Sequence, residues 1–308
     1  MAAVYKAGED LSPEIFAGAS CAFGVFDGVH AGHRFIIGRA QDAARAEGSR
    51  CVVITFDTDP DELFAPSSFR KLMSDEARLA ALSSLDVDAV AVLSFDRELA
   101  AQEPLAFLDR LFGAHAPRSL HVGRDFRFGS HAAGSVEELM QWGEPRGMQV
   151  DAVDLLELDG APVTSTRIRS LLADGDVAEA ERLLGRFYAV SGTVLKGRGE
   201  GREMGFSTAN LVVPEQLHVL REGVYAGYAL VDGVRYKAAI SCGVSPTFAD
   251  RAKANLEVHI LDFEGDLYGK EVEVAFVAWL RPMIEFPSVD ELIKTVTANI
   301  QWVRDNLS

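Results

Sequence analysis

SCAFGVFDGVHAGHRFIIGRAQDAARAEG, residues 20–48, is the stretch whose reading decides the fold. Its opening, SCAFGVF, is small and apolar and reads as a buried strand. Residues 32–48 read as a helix closed by Gly48. His30 and His33 stand where a glycine-bearing turn leads from the strand into the helix. The same alternation continues outward. RCVVITF, VDAVAVLSF, SLHVG and MQVDAVDLL read as strands. SDEARLAALSSL, with Ser74 as N-cap, EPLAFLDRLFGA and SVEELMQWGEPRG read as helices between them. Apolar strands alternating with helices predict a doubly wound parallel sheet in an α/β domain. STRIRSLLADGD and VAEAERLLG then predict two short helices.

From about Phe187 the rhythm changes. FYAVSGTVLKG, TANLVV, GVYAGYALV, VRYKAAISCG, NLEVHILDF and KEVEVAFVAWL are closely spaced strands. Asp232-Gly233 is a two-residue hairpin turn between two of them. This density predicts a small antiparallel β-barrel. The tail SVDELIKTVTANIQWVRDNL predicts a helix with a Ser288/Glu291 capping box. Its stripe of Leu292, Val296, Ile300, Val303 and Leu307 would pack on the barrel. The expected division is residues 1–185 and 186–308.

Composition narrows the function classes. The chain has 308 residues and 48% hydrophobic content, enough for two domains with substantial cores. A formal charge of −16 argues against a nonspecific nucleic-acid or acidic-lipid binder, because phosphate polymers would be repelled. A small phosphorylated substrate needs only a local cluster of donors. Cys21, Cys51 and Cys242 lie far apart in apolar runs with no C-x-x-C pair, which reads as buried hydrophobes in a reducing cytoplasm. MAAVYKAGEDLS has no signal-peptide core, and the longest apolar runs, such as VAFVAWL, are strand-sized. The expected partners are small molecules, with no nucleic acid and no membrane; a homo-oligomer stays open.

His30 and His33 fall where the first long strand turns into a helix, on the ligand edge of an open α/β sheet. The helix N-terminus offers free N–H groups and a positive dipole end there. Gly28 and Gly32 let backbone approach a ligand. Fixed donors at that edge suit nucleotidyl transfer, in which charge builds on phosphate oxygens. Metal binding competes, but zinc needs three or four ligands and no third His or Cys is near in sequence. Two loop histidines of no consequence are the bland alternative.

Other stretches carry chemistry of their own. TSTRIR (residues 164–169) offers Thr164 or Ser165 as a helix cap. Arg167 and Arg169 are two apart, so both cannot face one site. VGRDFRFG could line a flavin or adenine pocket with Phe126 and Phe128 while Asp125 accepts from a base or ribose, or form local core. GRGEGREMGFSTANL (residues 197–211) is a glycine-rich loop running into a strand, where backbone N–H groups can cradle phosphates. Thr208 and Asn210 share one side of that strand, and their oxygens suit Mg²⁺. In NLEVHILDF, Glu257 and His259 share the polar face. Glu257 is placed to act as a general base for a primary hydroxyl.

H-x-G-H is the hallmark of HIGH-type nucleotidyltransferases. GVFDGVHAGH, ITFD, VGRDFRFG, TSTRIR, LLGRFY, GREMGFSTAN, GVYAG and DLYGK occur here in order. Together they resemble the bacterial bifunctional riboflavin kinase/FMN adenylyltransferases, or FAD synthetases, over nearly the whole chain. The resemblance implies a barrel that phosphorylates riboflavin to FMN and an α/β domain that adenylylates FMN to FAD, with ATP and Mg²⁺. His30, His33 and Arg169 would stabilise the α-phosphate transition state. Gly24, Phe26, Asp27, Gly28, Gly32, Ser165 and Thr166 would hold ATP, with Ser165, Thr166 and Arg169 matching the family's S-T-x-x-R. Asp125, Phe126 and Phe128 would hold flavin. Gly197, Gly201 and Gly205 would cradle the second ATP, Thr208 and Asn210 the metal, and Glu257 would take the ribityl hydroxyl proton.

The chain departs from the family in places. Thr58-Asp59-Pro60 replaces Pro-His-Pro, so a carboxylate stands where a donor to phosphate is usual. Asp59 either points away, helps hold Mg²⁺, or weakens adenylyl transfer. Ser207 replaces the proline of P-T-A-N and loosens the backbone there. Val244 and Ser245 depart from G-T-x-P-T-F. The alternatives are a riboflavin kinase with an impaired or differently specific adenylyltransferase domain, and a non-catalytic flavin-binding paralogue.

Overall fold

The structure, a computed structural model, describes residues 1–65, 68–196, 206–217, 219–243 and 256–308. The chain divides into two compact units, Met1–Phe69 with Ser74–Ser165, and Arg70–Met73 with Thr166–Ser308.

The first unit contains β1 (Ala3–Lys6), β2 (Ser20–Phe23), β3 (Cys51–Phe56), β4 (Ala89–Leu93), β5 (Ser119–Gly123) and β6 (Gln149–Val153). Its helices are α1 (Ala31–Glu47), α2 (Pro60–Phe64), α3 (Asp75–Ser83), α4 (Arg97–Ala100), α5 (Pro104–Phe112) and α6 (Val136–Gly143). The strands form one parallel sheet in the order β1-β4-β3-β2-β5-β6. Every residue of β2, β3, β4 and β5 is buried. The cause is coverage: α1 packs on β2, β3 and β5, and α3 on β1 and β4. Strands covered in this way read as apolar runs, not as alternation. Phenylalanines fill the space between layers: Phe23 lies 5.6 Å from Phe56 and 6.2 Å from Phe107, ring centre to ring centre. Ser74 accepts from the Ala77 N–H at the start of α3, as its sequence predicts.

From β2 the chain winds to β3 and β4 on one side, and β5 and β6 lie on the other. The direction of winding reverses between β2 and β5. The crevice outside the carboxyl ends of these two strands is the ligand position of open α/β sheets.

A two-stranded ribbon, β7 (Glu157–Leu158) with β8 (Ala161–Pro162), precedes α7 (Ser165–Asp174) and α8 (Val177–Leu184). From Thr166 onward these helices belong to the second unit. There β9 (Tyr188–Leu195), β10 (Ala209–Val212), β11 (Gly223–Val231), β12 (Val234–Cys242), β13 (Leu256–Ile260) and β14 (Glu271–Arg281) close an antiparallel barrel. Their cyclic order is β10-β13-β12-β11-β14-β9. Asp232 and Gly233, both at positive φ (49° and 80°), make the β11–β12 turn, with Val231 opposite Val234. α8 packs on β9 and β14. α9 (Val289–Asn306) packs on β11 and β12, where Ile300, Val303 and Leu307 cluster with Ala226, Tyr228 and Leu261. The Ser288 hydroxyl accepts from the Glu291 N–H.

Candidate active sites

In the first unit, the turn from β2 into α1 takes a backbone path that its residue types resist. Phe26, Gly28 and Val29 stand at φ 60°, 83° and 40°. A β-branched residue at positive φ is strained, and strain persists only where neighbours over-determine it. Here alternate carbonyls are tied down by side chains. Val25 O accepts from Thr55 Oγ1 (3.0 Å) and Arg78 Nη1 (2.8 Å). Asp27 O accepts from Ser165 Oγ (2.9 Å), and Val29 O from Arg34 Nη1 (2.9 Å). Alternate peptide planes of the turn are thereby given a fixed facing.

The turn delivers His30, 4% exposed, as the N-cap of α1. Its Nδ1 accepts from the His33 N–H at 3.3 Å. An accepting Nδ1 leaves the proton of the neutral ring on Nε2, which makes Nε2 a donor. The two imidazoles stack, with centres 3.5 Å apart and planes 20° apart. The Phe26 ring meets His33 edge-on at 5.3 Å. His33 Nδ1 is buried, with no hydrogen-bond partner among the described residues. Burial, then the nearby His30, Arg34 and Arg78, hold the His33 pKa well below the usual imidazole value. His33 is therefore neutral at pH 7. Gly32 is required by space. A Cβ there would stand 3.0 Å from Val163 O and 3.2 Å from the His30 ring.

Around this turn, Asp27 is buried. Asp59 is 7% exposed and caps α2, accepting from the Asp61 N–H at 2.9 Å. One carboxylate oxygen is thus committed to its own helix. Asp125 is exposed on the loop after β5, at the same crevice. Phe126 packs 5.1 Å from Phe23 with part of its surface open, whereas Phe128 is 6% exposed within the core cluster. Phe128 thus serves packing, and Asp125 and Phe126 are the candidates of that stretch that keep accessible surface. On α7, Thr166 is exposed and Arg169 half-buried. Arg167 pairs with Glu179 of α8 at 3.4 Å.

In the second unit, the barrel register assembles the other candidates. Asn210 on β10 stands directly opposite Glu257 on β13, and Glu257 opposite Ser241 on β12. Opposite residues of antiparallel strands project to one face, with Cβ atoms about 5 Å apart. Leu256 and Val258 point into the core, so Glu257 faces outward. Thr208, exposed, immediately precedes β10 on the side of Asn210. His259 Nδ1 lies 2.8 Å from Ser207 O and donates to it, tying the residue that replaces the family's proline to β13. A hydroxyl, an amide and a carboxylate form a set of hard oxygen donors, which fits Mg²⁺. Gly197, Gly201 and Gly205, and the altered Val244 and Ser245, lie outside the described residues.

Arg78 was missed by the motif reading. It occupies the apolar face of α3 one turn before Leu82, and both are buried. An arginine on a core-facing stripe was the available signal.

Comparison with known proteins matches each half of the chain to a family model. The FAD synthetase family model matches residues 12–167, and the riboflavin kinase model matches residues 184–307. A bifunctional riboflavin kinase/FMN adenylyltransferase of Pseudomonas fluorescens is 36% identical over 96% of this chain and 94% of that protein. The proteins of that name from Listeria monocytogenes and Escherichia coli K12 are 33% and 35% identical, over 92% and 97% of this chain and 90% and 94% of theirs. A solved structure titled macrolide-efflux protein, from Streptococcus pneumoniae, superposes with a TM-score of 0.83 at 29% identity, covering 99% of each chain. Among the described residues, no helix of this chain is long and apolar enough to cross a membrane.

Proposed function

Because the chain belongs to the family of bifunctional riboflavin kinase/FMN adenylyltransferases, we propose that it makes FAD from riboflavin in two steps, one in each half. The carrying observation is that each half matches its own family model. The functional halves are residues 1–185 and 186–308.

In the barrel, Glu257 takes the proton of the ribityl hydroxyl as that oxygen attacks the γ-phosphorus of ATP and ADP leaves. Thr208 and Asn210 would hold Mg²⁺, which offsets phosphate charge when bound. The register that sets Asn210 opposite Glu257 supports a metal ligand and a base acting side by side. In the α/β half, a phosphate oxygen of FMN attacks the α-phosphorus of ATP and pyrophosphate leaves. His30 donates through Nε2 to the phosphate oxygens as charge builds on them, and neutral His33 lines the same wall. Arg169, one helical turn beyond Ser165 on α7, is the guanidinium for the triphosphate. Asp125 and Phe126 contact flavin. Asp59 is a tolerated replacement, because its oxygen is committed to capping α2. The enzyme works in the cytoplasm, where its substrates are small molecules.

The test is a chromatographic time course with riboflavin, ATP and Mg²⁺. FMN followed by FAD is expected. FMN accumulating without FAD would reduce the protein to a kinase and make Asp59 the first suspect.

A further inference from the structure

We propose that Arg78 is a positioning residue for adenylyl transfer, its buried guanidinium locking the β2–α1 turn to the carboxyl end of β3. The proposal rests on the reading of the first unit as the adenylyltransferase.

Arg78 is 2% exposed on the core face of α3. A desolvated cation persists only when fully hydrogen-bonded, and a well-packed apolar residue of similar volume often stabilises a fold as well or better. Fold stability alone therefore gives little reason for a guanidinium here. Its hydrogen bonds indicate another role. Nη1 donates to Val25 O (2.8 Å) and Thr55 Oγ1 (2.7 Å). Nη2 donates to Phe56 O (2.7 Å), Asp57 O (3.4 Å) and Asp75 Oδ1 (2.9 Å). Asp75 is in its own helix. The other acceptors sit on two segments, the residue that opens the strained turn and the last residues of β3 with the one that follows. Thr55 closes the triangle by donating to the same Val25 carbonyl.

The fork thus joins the loops leaving two adjacent parallel strands, at the edge where His30 and His33 stand. Val25 directly precedes Phe26, the first residue of the turn at positive φ. Releasing Val25 O frees that peptide plane to rotate. The rotation carries down the turn to the imidazole that caps α1. Reacting groups misplaced by about 1 Å lose about 100-fold in rate, so a clamp this close to the histidines belongs to the reaction's geometry.

The experiment follows FAD formation from FMN and ATP, FMN formation from riboflavin and ATP, and thermal unfolding in the full chain. Arg78→Met is expected to lower kcat for FAD formation about 100-fold, with both KM values within about threefold. Arg78→Lys, which keeps charge and some bonds, recovers about tenfold, and FMN formation stays within about twofold of the parent. A merely structural arginine would not split kcat from KM in this way. If Arg78→Met loses an unfolding transition, Thr55→Val decides, because it removes the shared hydroxyl at nearly constant volume. It is expected to lower kcat about tenfold at unchanged KM. Wild-type kcat in Thr55→Val or in folded Arg78→Met overturns the proposal, as does a loss carried by KM alone. A parent protein that makes no FAD would instead overturn the reading of the first unit.

Discussion

The His30 imidazole caps α1 through Nδ1, which leaves its Nε2 for the proposed role as donor to phosphate oxygens. Removing it should therefore cost more than a cap. His30→Ala is expected to lower FAD formation about 100- to 1,000-fold, the range for losing one oxyanion donor, and to leave FMN formation unchanged. Glu257→Gln should do the reverse, lowering FMN formation at least about 100-fold while FAD formation from supplied FMN persists. Separate assays of the two products check both, and equal loss of both activities in either variant would point to folding damage. Gly32→Ala introduces a methyl 3.0 Å from Val163 O, so the helix start or the His30 ring must shift. FAD formation should fall about tenfold with the melting temperature little changed, as expected for misaligned catalytic geometry. These residues were legible because their motifs are local. Glu257 was legible by alternation on its strand and Asn210 by its motif, but their pairing was not, since barrel register sets it.

Between β3 and α2, the Thr58-Asp59-Pro60 stretch resolves into a cap. Asp59 accepts from the Asp61 N–H, and Pro60 opens the helix. Asn caps as well as Asp, and Ala does not. Asp59→Asn should leave FAD formation within about threefold, and Asp59→Ala should lose about 1 kcal/mol of stability, measured by denaturant titration. A large gain in FAD formation in Asp59→Asn would show that the carboxylate repels substrate after all. Helices α1, α3, α5 and α6 and the buried strands were legible from periodicity, caps and apolar runs. The role of Arg78 was not, because one polar residue on an apolar stripe reads as an irregularity until its acceptors are known.

Across the whole molecule, two buried imidazoles set the acid limit of the first unit. Burial, then the nearby His30, Arg34 and Arg78, hold the His33 pKa well below its usual value. Burial lowers His121 as well, partly offset by its hydrogen bond to Asp151 at 3.1 Å. Both bind a proton more readily unfolded than folded. Their contribution is fully present above the unfolded value of about 6.5 and is lost as pH falls below it. The melting temperature should fall between about pH 7 and pH 5, where these unfolded-state imidazoles titrate, and less steeply in His121→Asn. A flat profile would contradict this. A second whole-molecule prediction concerns where the kinase half begins. α8 packs on β9 and β14, and a Cβ on Gly175 would stand 2.9 Å from Trp279. A fragment starting at residue 186 strips that cover from the barrel. It should melt lower than one starting at residue 166, because apolar surface is exposed to water.

The sequence by itself determined the two classes of architecture, helix caps such as Ser74 and Ser288, and the β11–β12 hairpin, and it supplied the candidate residues of both sites. Each follows from periodicity, turn chemistry or a motif within a few neighbours. Only the tertiary structure decided what those residues do together. It reversed the sheet's winding at β2 and β5, so that one crevice gathers the histidine turn and the Asp125 loop. It closed the barrel in a register that sets Asn210 against Glu257. It turned Phe128 inward, committed Asp59 to a cap, and put Arg78 between two loops. Contacts between segments far apart in the chain arise from strand order and packing, and local sequence pattern does not encode them one by one.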